Sequence, residues 1–216
     1  MDALQERLTK ILEAANWDSD EDETFFAEID EIKQKAISEF TFDRLRSYYL
    51  ENTSAYVPVK RRLTEAKDLR AVNSSASLVF SVSATEICLK NLILRPMVYG
   101  FVHQTYVAQL IADLAVSHMG WDRFKGLLEA ILRDKLGIDL SKIRIGGTNK
   151  PLWSELNRLV KIRNDVIHKA LLAADQETDI AIEIAEELCN TIFPRLLNNL
   201  SLEVDEQGTI IAQPHL

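Results

Sequence analysis

The chain has 216 residues, 47% apolar and 27% charged, with seven Gly, five Pro and a net charge of -8. That length supports one substantial core, or a core with a small satellite, and so few breakers favour long helices over many short strands. No charge-free apolar run reaches the roughly 18 to 20 residues of a membrane span, and the opening Met1-Asp2-Ala3-Leu4-Gln5-Glu6 is amphipathic and acidic, unlike a secretory leader, so the chain reads as soluble, reduced and cytoplasmic.

Residues 2–15 carry Leu4, Leu8, Ile11 and Leu12 on one stripe, the period of a short amphipathic helix. The acidic run from Asp18 to Glu23 suits a loop and the positive end of a helix. That helix extends to about Phe40, and a further short helix with a turn fills 41–57, ending before Pro58. Residues 59–71 form a basic amphipathic helix. From Ser74 to Arg95 the apolar residues leave little of a helical circumference polar, so this element is central to the core. Pro96 is expected to stop it.

A helix from Phe101 to about His118, closed by Gly120, comes next. Another runs from Asp122 to Leu136, with Gly137 ending it. Residues 138–150 are the longest break, basic and turned at Gly146-Gly147, and Pro151 fits the first turn of the following helix. That helix carries Leu152, Leu156, Leu159 and Val160. A last long helix covers about Gln176 to Leu200, bent at Pro194. Residues 201–212 alternate as a β-hairpin needing a surface to pack on.

The charge is unevenly spread. Residues 1–40 hold 12 acids and 4 bases, a balance of -8, so the remaining 21 acids and 21 bases cancel. Within 142–169 the bases are Lys142, Arg144, Lys150, Arg158, Lys161, Arg163 and Lys169 against Glu155 and Asp165, seven minus two, or +5. Such a local field can hold a phosphate on an acidic protein, although a solvated helix face would look the same. Cys88 and Cys189 lie inside apolar helical patterns with no Cys or His at ligand spacing, which favours core packing over a zinc site. No phosphate loop, metal-ligand cluster or nucleophile elbow is visible, and no cofactor is expected.

Of the four histidines, His103 and His118 fall near helix ends and His215 next to the C-terminus, where bland roles are expected. His168 differs because it follows Arg163-Asn164-Asp165-Val166-Ile167. Imidazole can exchange a proton at working pH, and guanidinium binds phosphate oxygens and offsets added negative charge. The pair suffices for RNA cleavage without a metal, because RNA carries its own nucleophile, the 2′-hydroxyl. Five residues turn a helix through about 140° and advance it about 7.5 Å, so both groups reach one cleft only along the helix edge or through a kink.

The segment Arg163 to His168 resembles the Arg-x(4–6)-His motif of HEPN domains, including the polar residue after the arginine. The long helix through Ala76, Ala84, Glu86 and Lys90 looks like the central helix of that family, and the resemblance covers about residues 58–200. It implies an all-α, HEPN-like helical bundle with an N-terminal helical extension (1–57) and a C-terminal hairpin and tail (201–216). It further implies a homodimer whose two motifs share one cleft, in a metal-independent endoribonuclease of toxin–antitoxin, phage-defence or RNA-processing systems.

By that resemblance Arg163 grips the scissile phosphate and His168 acts as general base or acid. Asn164 orients one of them or touches RNA, Glu86 steers the motif, and Lys161, Asp165 and Lys169 support RNA binding. For Glu86, an ordinary i,i+4 pair with Lys90 is the competing assignment. Toxins of this family that are controlled by a nucleotidyltransferase often carry tyrosine two residues after the histidine. That position is Ala170, which argues against such control. The alternative is an inactive HEPN module that binds RNA, nucleotide or a protein partner. The acidic segment 1–40 forms a solvated helical hairpin, covers the basic cleft and restrains activity, or recruits a basic partner.

Overall fold

The computed structural model describes residues 19–101, 125–126, 128–129, 132–133, 137–146 and 148–214. It divides into two units, 1–41 and 42–216. The expected helix over 2–15, the assignments at His103, His118 and His215, the stop at Gly120 and the N-cap at Asp122 lie outside the described residues.

The described residues are mostly helical. Helix α1 spans Ser19–Glu51 without a break, where two helices were expected. No Gly or Pro occurs from Ser19 to Glu51 to interrupt it. Helix α2 (Val57–Leu69) holds Pro58 in its first turn, where the missing N–H costs nothing. Helix α3 (Ser74–Ile87) starts on Asn73, whose side chain accepts from Ala76 N at 2.9 Å. Its small residues let α2 approach closely: Ser77 is buried and its hydroxyl donates to Ala66 O of α2 at 2.6 Å.

Pro96 does not stop the central helix. A π-helical segment, Cys88–Leu94, leads directly into α4 (Arg95–Phe101). Proline removes one amide donor and crowds the carbonyl four residues back, here Leu92 O. The buried Tyr49 hydroxyl donates to that oxygen at 2.5 Å. The π turn lies just before the proline, with Arg95 N bonded to Lys90 O, and the phenol gives Leu92 O a donor that Pro96 cannot supply.

The same solution recurs in the last long helix. Helix α6 (Asp175–Glu186) passes through a π segment, Glu187–Ile192, into α7 (Phe193–Asn199), with Pro194 two residues after the π segment ends. The carbonyl of Cys189, the π-type acceptor of the amide Pro194 lacks, receives the Tyr56 hydroxyl at 3.2 Å. Cys88 and Cys189 are both fully buried, and the neighbouring Cys189 thiol together with burial pushes the Cys88 thiol up.

Residues 125–126, 128–129 and 132–133 are helical, with Leu128 and Leu132 buried. The expected stop at Gly137 is present: φ is +63°, Gly137 N donates to Arg133 O at 3.1 Å, and Ile138 N donates to Leu132 O at 3.0 Å. The first of these, from the left-handed glycine to the carbonyl four residues back, is the αL type of helix closure. The 138–150 break contains a 3₁₀ turn (Leu140–Lys142) and a two-residue hairpin, β1 (Arg144–Ile145) against β2 (Lys150–Pro151). Pro151 precedes helix α5 (Leu152–Lys169) as its N-cap with ψ 137°, one place before the expected first turn.

Strands β3 (Leu202–Val204) and β4 (Ile210–Ala212) form the terminal hairpin. Its packing surface is residues 53–60: Ile210 N donates to Thr53 O at 2.8 Å and Lys60 Nζ to Glu206 O at 2.5 Å.

The core lies where α3 packs between α2, α5 and α6. By length and composition, Ser74–Gly100 is the one helix among the described residues apolar enough to cross a membrane. Its most apolar stretch is 61% buried within the protein, a use that also accounts for its composition.

Candidate functional site

Helix α5 carries every residue of the Arg-x4-His segment, and its stripes decide where each points. Leu152, Leu156 and Leu159 are buried. Arg163 follows them by 11, 7 and 4 residues, so it continues the inward stripe. His168 follows Lys161 by seven and Asn164 by four, and all three are exposed. The helix is α-helical throughout Leu152–Lys169, so no kink brings the two sides together. Within one chain, Arg163 and His168 therefore stand on different faces.

The inward position brings Arg163 to the central helix. Its Nη2 donates to Glu86 Oε1 at 2.6 Å, with both side chains only about a fifth exposed (21% and 23%). Water is largely excluded there, so both groups have given up solvation and each depends on the other as its partner. Arg163 Nε is buried and has no acceptor among the described residues. Glu86 thus meets the motif arginine across 77 positions of sequence.

The outward stripe is polar and open. Asn164 and His168 face solvent, and Lys161 lies two turns before His168. Asp165 pairs with Lys169 at 2.7 Å, an i,i+4 contact of the kind solvated helices make. The helix closes at Ala170, which adopts φ +53°, and its amide donates to Asp165 O.

The local charge of +5 is largely answered by acids from elsewhere. Arg158 lies 2.8 Å from Glu155 and 3.1 Å from Glu177, Lys150 lies 3.3 Å from Glu155, and Lys142 lies 3.2 Å from Asp139. Only Glu155 belongs to the counted stretch. Among the described residues, Arg144 and Lys161 carry no ion pair within 4 Å.

Glu155 is itself 1% exposed, a buried carboxylate held by two cations. Its place on the inward stripe, three residues after Leu152 and four before Leu159, was the sequence signal for that burial. Glu183 Oε1 accepts from Gly146 N at 2.5 Å and ties the 143–151 turn to α6. A Cβ at Gly146 would come within 2.9 Å of that oxygen. Nothing in the sequence pattern pointed to this tie.

Among the described residues, no three His, Cys, Asp or Glu side chains are grouped to hold a metal ion. Comparison with protein-family models, with curated proteins and with solved structures returned no match.

Proposed function

We propose that the protein is a HEPN-type endoribonuclease that cuts RNA through the 2′-hydroxyl, without a metal, in the cytoplasm. The observation that carries the reading is the division of labour on α5. Glu86 fixes Arg163 while using one Nη group, and His168 and Asn164 stay open to solvent. In the reaction the 2′-oxygen attacks the adjacent phosphorus and the bond to the 5′-oxygen breaks. His168 takes the 2′ proton or supplies one to the leaving oxygen. Arg163 holds the non-bridging oxygens as charge builds on them. Asn164 orients the RNA, and Lys161 and Lys169 contact flanking phosphates beside Asp165.

Arg163 and His168 stand about 140° apart on one unkinked helix, and a second copy whose His168 approaches the Arg163 side would let both groups meet a single phosphate. That geometry supports a homodimer with a composite site. The chemistry also suits a toxin or phage-defence effector restrained by a protein partner. A substrate with a single 2′-deoxy residue at the cut site tests the reaction type. RNA should yield a 2′,3′-cyclic phosphate in EDTA, and the deoxy substitution should block that cut alone. Equal cutting of both substrates rules the mechanism out.

A second reading has its own support. Glu86 already neutralises Arg163, and most bases of the 142–169 stretch are already paired. An inactive module of the same family, holding RNA, nucleotide or a protein partner, fits that balance. Arg163-dependent RNA binding with no cleavage under any condition would favour it.

A further inference from the structure

Cys88 and Cys189 are the two cysteines of the chain, and both are fully buried with free thiols. Each lies in one of the two π-helical segments, Cys88–Leu94 and Glu187–Ile192, and these segments pack against each other. Aromatic rings hold the junction together. Tyr49 binds Leu92 O of the first segment and Tyr56 binds Cys189 O of the second. Phe193 meets both tyrosine rings, at centroid separations of 6.0 and 5.4 Å.

At this junction the two thiols hydrogen-bond to each other, which together with burial pushes the Cys88 thiol up. Free cysteine packs as a small hydrophobe, but size alone does not bring two of them sulfur to sulfur. From such contact, closing a disulfide asks each sulfur to move by about 1 Å. Both sulfurs also stand in π segments, a geometry found often at functional sites.

We propose that Cys88 and Cys189 form a dithiol oxidation site, closed to an intramolecular disulfide by a small oxidised disulfide of the glutathione class. One cysteine thiolate attacks a sulfur of the small disulfide and releases one small thiol. The other cysteine then attacks the mixed disulfide and releases the second small thiol. The protein thiols give up two protons and two electrons, and both leave on the small thiols.

Burial slows the first attack in the closed fold, so the reaction runs through opening of the junction. The same burial then shields the finished bond from reductant. The bond closes a loop of about 100 residues between the central helix and the last long one. Oxidation thereby locks together the two helices that run on through Pro96 and Pro194.

The test warms the full chain to just below its Tm with oxidised glutathione, then measures mass, helix content and Tm. The expected product is a single chain lighter by two hydrogens, with Cys88 and Cys189 joined in the unreduced digest. Circular dichroism should match the reduced protein, and Tm should rise by roughly 5 °C or more, as for a cross-link that closes a long loop. Cys189→Ala should show neither the loss of hydrogens nor the rise in Tm. Should that variant fail to fold, the mass and Tm of the wild type decide alone. Thiols that stay free near Tm, a lasting glutathione adduct or a disulfide between two chains overturns the proposal. So does a cross-linked chain with a lower Tm or less helix.

Discussion

Glu86 Oε1 and Arg163 Nη2 lie 2.6 Å apart, joining the central helix to the helix of the Arg-x4-His segment. The contact has a stability consequence and a positional one. Removing either partner leaves the other charge poorly solvated.

Glu86→Gln and Arg163→Met should each destabilise the fold by about 1–3 kcal/mol, as for breaking a largely buried charged hydrogen bond. The double variant should cost less than the sum of the two. Chemical denaturation of all four proteins measures this coupling, and strict additivity would mean the two side chains do not interact.

Tyr49→Phe and Tyr56→Phe remove the phenols that serve Leu92 O and Cys189 O ahead of Pro96 and Pro194. Each leaves a carbonyl short of a donor, so each should lower stability by about 1–3 kcal/mol with little change in packing. Tyr49 is the more deeply buried of the two and should show the larger loss. Thermal unfolding compared with wild type provides the check.

Ala170 holds φ +53° at the C-terminus of α5. A non-glycine residue there is strained by roughly 1–2 kcal/mol, and glycine relieves this at the cost of a freer unfolded chain. Ala170→Gly should therefore stabilise the protein by about 0.5–1 kcal/mol. An unchanged or lower Tm would show that the left-handed cap is not strained.

The Arg70 guanidinium holds the Asp179 carboxyl below its usual range through direct hydrogen bonds, at 2.5 Å from Nε and 2.9 Å from Nη2. A depressed folded-state pKa adds stability above the unfolded value, near pH 4. That stability is lost as pH falls through the folded value. Asp179→Asn should flatten the acid limb of the Tm–pH curve below about pH 4 and leave its shape at higher pH unchanged. An acid limb identical to wild type would show that this pair contributes nothing to acid sensitivity.

Much of the fold was legible because it depends on local rules. The periodic stripe of α5, the stop at Gly137 and the terminal hairpin are all present. The continuity of the helix through Pro96 was not legible, because it relies on Tyr49, 43 residues away in sequence, and on a π turn. The same holds for the charge of the 142–169 stretch. Counting along the chain cannot see Glu86, Glu177 or Asp139 arriving from other segments. The opposite facing of Arg163 and His168 was implicit in their five-residue spacing, and the unkinked helix fixes it.

The proposed composite arrangement predicts a direct kinetic signature. Chains carrying Arg163→Ala or His168→Ala should each be nearly inactive alone. When mixed and allowed to exchange subunits, they should regain part of the wild-type rate, since one site per mixed dimer keeps both groups. Persistent inactivity of the mixture would mean that each chain works with its own pair.

The most direct test compares wild type with His168→Ala on single-stranded and structured RNA in EDTA, with the ends of the fragments identified. The expected result is cleavage to 2′,3′-cyclic phosphate ends, slowed by roughly 10² to 10⁴ in the variant, as for the loss of a general acid or base. Wild type and variant cutting at the same rate, or neither cutting any RNA, would contradict the assignment of His168 to proton transfer.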